Sequence, residues 1–136
     1  MIYLTREQIL NANDLKTEEV NVPEWGGTVV IKMMTGKQRD AFEASLMGEV
    51  DPKNPKSQKM VYNNIRAKLV AMSIIDPATK ELMFNVADVE VLGTKSAAAL
   101  DRVFTASQKL SGVTEEDVEE LVKNSLTDQP DTSTIN

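Results

Sequence analysis

The sequence has 136 residues, enough to enclose one hydrophobic core but not two, and its 41% hydrophobic and 26% charged content is that of a folded globular protein. It contains no cysteine and no histidine, which removes thiol nucleophiles, disulfides, thiolate zinc sites and imidazole bases from consideration. The net charge of −6 comes from residues 113–136, where seven acids face Lys123 alone, and the neutral remainder lacks the clustered basic side chains that nucleic acid selects for.

The opening residues lack the charge-then-apolar order of a signal peptide, and no apolar run approaches the ~18 residues of a membrane span, so a cytoplasmic location is expected. Thr5 followed three residues later by Gln8 is a capping box and predicts a helix over 5–12. Glu19-Val20-Asn21-Val22 alternates polar and apolar, and Thr28-Val29-Val30-Ile31 leads a β-branched run to Met34. Both read as strands. Pro23-Glu24-Trp25-Gly26-Gly27 between them supplies one locked φ and two permissive ones, the chemistry of a hairpin turn.

A second box, Thr35 with Gln38, predicts a helix over 36–47 that places Phe42 and Leu46 on one face. Asp51-Pro52-Lys53-Asn54-Pro55-Lys56 holds two prolines and no apolar residue, and reads as an exposed, protease-sensitive loop. From 58 to 75 the apolar positions Val61, Ile65, Leu69 and Met72 trace one helical stripe, which Tyr62, Val70, Ile74 and Ile75 widen. So broad a stripe predicts a central helix ended by Asp76-Pro77. Glu81-Leu82-Met83-Phe84 reads as a short extended piece, and Asn85 to Asp88 as the cap of a brief helix running through Val89 and Leu92 to Gly93.

A helix over 96–110 carries Ala97, Leu100, Val103, Phe104 and Leu110 on one side, with Gly112 as its C-cap. The last helix, 114–124, begins Thr114-Glu115-Glu116-Asp117, with acids in the turn where the helix dipole favours them. The polar, proline-containing stretch 127–136 reads as a disordered tail following a single domain over 1–126. The fold class is therefore α+β, an N-terminal β-hairpin packed on a small bundle of four to five helices.

No motif points to catalysis, a cofactor or a metal. Gly36-Lys37 would need glycine at Ile31 and a hydroxyl at Gln38 to form a phosphate loop. Asp51, Lys53 and Asn54 would need glycine at Lys56 to form a calcium loop. Two features suit partner binding. Trp25 is the sole tryptophan and stands at the hairpin tip, where it either anchors a partner or folds back onto the core. The stretch 115–122 sets Val118, Leu121 and Val122 against a rim of Glu115, Glu116 and Glu119, which is either a solvated terminal helix or a docking helix for a partner with basic flanks.

The order of segments is the most specific signal. Asn13-Asp14-Leu15-Lys16-Thr17-Glu18-Glu19-Val20, Val22-Pro23-Glu24-Trp25-Gly26-Gly27 and Lys37-Gln38-Arg39-Asp40-Ala41-Phe42-Glu43 come first. Asn64-Ile65-Arg66-Ala67-Lys68-Leu69-Val70-Ala71, Lys95-Ser96-Ala97-Ala98-Ala99-Leu100-Asp101-Arg102-Val103-Phe104 and Thr114-Glu115-Glu116-Asp117-Val118-Glu119-Glu120-Leu121 follow. Together they resemble the tail assembly chaperones of long-tailed bacteriophages and their prophages over nearly the whole chain. The resemblance implies a non-enzymatic protein of the bacterial cytoplasm that binds the tape-measure protein, keeps it soluble and recruits tail-tube subunits, with self-association among its properties. It also implies absence from the mature virion and a longer frameshifted product. A structural tail or head-completion component retained in the particle is the rival reading.

Overall fold

The computed structural model describes residues 1–48, 52–54, 56 and 63–112. The expected helix over 114–124, with Glu115, Glu116, Val118, Glu119, Leu121 and Val122, lies outside them, as do the tail and positions 58–62 of the expected central helix.

Among the described residues the order is α1 (Arg6–Leu10), β1 (Thr17–Val22), β2 (Gly27–Lys32), α2 (Gly36–Ser45), α3 (Ile65–Ala71), β3 (Ile74–Ile75), α4 (Val89–Leu92) and α5 (Ala97–Ser111). This is the α+β class the sequence predicts, with a sheet of three antiparallel strands, β1-β2-β3, in place of a two-stranded hairpin. Both capping boxes form. Thr5 accepts from the Gln8 N–H at 3.2 Å and Gln8 Oε1 accepts from the Thr5 N–H at 2.9 Å; the Thr35 and Gln38 pair repeats this at 3.0 and 2.9 Å. Gly112 caps α5 in the left-handed region at φ 72°, as its position predicts.

The central helix is the main correction. It covers Ile65–Ala71 rather than 58–75. Asn64 opens it at φ 58°, a left-handed conformation that asparagine tolerates and that stops a continuous helix from entering through residue 63. Its side-chain amide donates to Glu90 Oε1 of α4 at 3.2 Å, which ties that turn to α4. At the other end Ser73 turns its hydroxyl back to the Leu69 carbonyl at 2.7 Å, while its own carbonyl accepts from the Lys32 N–H at 2.9 Å. The backbone thus passes from helix to sheet within two residues. Ile74 and Ile75, assigned to the helical stripe by spacing, pair with Ile31 and Val30 instead, the setting β-branched residues favour.

The expectation of a central, multiply packed element holds nonetheless. Ala67, Leu69, Val70 and Ala71 are all buried, and α3 packs on both α4 and α5. One cluster joins Val20, Val22, Ile31, Val70 and Ile74 to Leu100 and Val103 of α5; a second joins Met34, Phe42 and Leu46 to Leu69. Each such fully buried aliphatic or aromatic side chain contributes about 1.5–3 kcal/mol. On α5 the inner position expected for Ala97 belongs to Ala99; Ala97 is exposed. A bond from the Met34 N–H to Ser111 Oγ, 2.9 Å, ties the end of β2 to the end of α5.

Candidate docking surface

The hairpin tip is built by its sequence. Pro23 opens a 3-10 turn, Pro23–Trp25, and Gly26 closes it at φ 76°, donating to the Pro23 carbonyl at 3.0 Å. Glu24 takes both Oε1 and Oε2 to Arg102 Nε, at 2.9 and 3.1 Å, and so fastens the tip to α5. The Arg102 hydrogen bond, assisted by a backbone hydrogen bond at Glu24, holds the Glu24 carboxyl below its ordinary range; the same contact raises Arg102.

With the tip anchored, Trp25 is 36% exposed. It neither points free into solvent nor enters the core. It forms one wall of a hollow of about 370 Å³ shared with Phe84, Val91 and Leu92 and rimmed by Asp88 and Lys95. Val91 is 60% exposed and Phe84 half-buried. On the other side of Phe84 lies a larger groove of about 530 Å³, walled by Ala41 of α2, Ala71 of α3, Met72, Leu82, Val86 and Val89. Lys68 and Glu90 stand at its rim, Lys68 donating to the Ser45 carbonyl at 2.9 Å.

The segment 82–91 shared by both hollows is held by β3. Ile75 bridges to Leu82, the Met83 N–H donates to the Ile74 carbonyl at 3.0 Å, and Asp76 N–H donates to Glu81 at 2.8 Å. Asn85 then caps a 3-10 turn, Val86–Asp88, by accepting from the Ala87 N–H at 2.9 Å, with Asp88 reciprocating to Asn85 N–H at 2.9 Å. These bonds fix the backbone while leaving Leu82, Met83, Val86 and Val91 exposed. The surface is suited to receiving apolar side chains on a rigid frame.

The sequence singles out Trp25, which the structure places at the wall of this hollow, but not the residues around it. By sequence, Phe84, Val86, Val89 and Val91 belong only to a short extended piece and a brief helix; the one signal they carry is that so short a stretch holds more apolar side chains than it can bury. The acidic stretch 115–122 lies outside the described residues. Among the described residues, no helix is long and apolar enough to cross a membrane, and no three acidic side chains group as metal ligands.

Over residues 5–124 the sequence matches the family described as phage tail assembly chaperone. No curated protein sequence matches it. Among solved structures it is similar to the tail assembly chaperone of bacteriophage HK97, with a TM-score of 0.52 and 19% sequence identity, over 76% of this chain and 94% of that one. That likeness is one of fold. The family match spans most of the sequence, and the chain belongs to the phage tail assembly chaperones.

Proposed function

We propose that this chain acts in the bacterial cytoplasm by binding the tape-measure protein, keeping it soluble and bringing tail-tube subunits to it, and that it is absent from the mature virion. Its work is binding and not turnover. The observation that carries this reading is the Trp25 hollow: a protein of this family holds a tryptophan, a half-buried phenylalanine and an exposed valine on a backbone fastened by Glu24–Arg102 and the Asn85 cap. Such a surface favours apolar segments that would otherwise aggregate. The single charges of Asp88 and Lys95 at its rim suit a partner of mixed sequence. Glu115, Glu116, Val118, Glu119, Leu121 and Val122 would add an acidic-rimmed apolar stripe for basic flanks of the same partner.

Co-expression with the tape-measure protein of the same phage tests this directly. Tape-measure protein should move to the soluble fraction in the presence of the wild-type chain and return to the pellet with Trp25→Ala combined with Val91→Asp. Unchanged solubility with and without the wild-type chain overturns the proposal. Mass spectrometry of purified virions separates it from a retained structural component, which would be found there in stoichiometric amount.

A further inference from the structure

We propose that the free edge of β1 is a strand-receiving site, at which an extended segment of a partner protein carrying two adjacent basic side chains joins the sheet. Two bonds fix which backbone groups face that edge. Met33 N–H donates to the Lys16 carbonyl at 2.8 Å, whereas Lys32 N–H donates away from β1, to the Ser73 carbonyl, at 2.9 Å. Bonded and non-bonded pairs alternate in an antiparallel ladder, so the register from Thr17↔Lys32 to Val22↔Gly27 ties β1 to β2 through Glu18, Val20 and Val22. The N–H and C=O of Thr17, Glu19 and Asn21 therefore point outward, and no described residue bonds to them.

Sheet edges of folded proteins are blunted by proline, a bulge, short length or a covering element. β1 has none of these: its six residues pair with β2 without a break, hold no proline, and are exposed at Thr17, Glu18, Glu19 and Asn21. It carries charge instead. Glu18 and Glu19 have no ion-pair partner among the described residues. Like charges facing one another destabilise a strand pair, so these acids disfavour another acidic strand and select lysine or arginine opposite them.

The rest of the pattern follows from the two faces of β1. Val20 and Val22 lie on the core face, where Ala106 and Leu110 of α5 pack half-buried against their cluster. Arg66 of α3 meets α5 at Asp101 and Phe104, and helical spacing turns Ala106 and Leu110 to the side away from those contacts. They form a half-covered shelf for apolar side chains placed opposite Val20 and Val22. Polar side chains suit the positions opposite Thr17 and Asn21, which face solvent. Laid antiparallel, the segment reads apolar, polar, apolar, basic, basic, polar.

The edge is independent of the reading given to the Trp25 hollow. Its probe is the capped hexapeptide valine-threonine-valine-lysine-lysine-threonine, added to the full chain. Amide exchange at Thr17, Glu19 and Asn21 should slow at least about tenfold at saturation, and by more than at Glu18 and Val20, which β2 already protects. Methylating the backbone nitrogen of the first lysine, whose N–H faces β1, should weaken binding at least about tenfold; methylating that of the second valine, whose N–H faces away, should not. Glu18→Lys with Glu19→Lys should weaken binding at least about tenfold with circular dichroism unchanged, and Val91→Asp in the Trp25 hollow should leave it as it is. No slowing at the three amides, equal loss from the two methylated peptides, or binding indifferent to the double substitution each overturns the proposal. So does the same protection produced by raising protein concentration without peptide, which would give the edge to a second copy.

Discussion

Helices α1 and α2 begin with the same device and end in opposite situations. Each opens on Thr-x-x-Gln with both reciprocal bonds formed at nearly the same lengths. Yet Phe42 of α2 is 1% exposed and its C-cap Leu46 fully buried, while α1 buries nothing. A cap satisfies the N–H groups that a helix leaves unpaired at its start. It says where a helix begins and nothing about what the helix touches. Packing is decided by where the apolar residues fall relative to the rest of the chain, and there the two segments differ.

The largest effect that sharpens this contrast is expected in the core. Phe42→Ala should lower unfolding free energy by about 3–5 kcal/mol in urea denaturation, because it opens a cavity against Leu46, Leu69 and Met34. Leu10→Ala, at an exposed position, should change it by less than about 0.5 kcal/mol. A comparable loss from both would erase the distinction. Next come the caps themselves. Thr35→Ala should cost about 1 kcal/mol of global stability, whereas Thr5→Ala should fray α1, seen as faster amide exchange at Gln8, with a global change below about 0.5 kcal/mol.

The smallest effect belongs to the surface tie between Glu24 and Arg102. The Arg102 hydrogen bond depresses the Glu24 carboxyl below its ordinary value of 4.5, so folding gains from the ionised form above that value and loses the gain as pH falls through the folded one. Glu24→Gln should therefore be slightly less stable than wild type at pH 7, and the difference should shrink below about pH 4.5 and in high salt. A difference that grows on acidification would reverse the assignment. Together these measurements rank the forces that hold α2, α1 and the hairpin tip.

What could be read in advance follows the same division between local and distant causes. The hairpin, both capping boxes, the Asn85 cap and the Gly112 stop are written within four or five residues, and all form. The length of α3 is not legible because Asn64 and Ser73 act through partners far along the chain, Glu90 and Lys32, that no periodicity reveals. Ile74 and Ile75 match a helical stripe as well as they match a strand; β2 decides between the two. Of the residues around the surface hollow, the sequence singles out Trp25 alone. Its other walls are the apolar side chains left uncovered once the sheet and α5 have taken theirs, a remainder that exists only after folding.

That tryptophan has a practical consequence. It is the sole indole in the chain, and it sits at the wall of a surface hollow instead of in any of the three core clusters. Its emission is therefore a native optical signal for events at that hollow. A shift to shorter wavelength reports water leaving the indole as a partner settles there. One fluorescence titration of the unlabelled protein can thus detect a partner at the hollow.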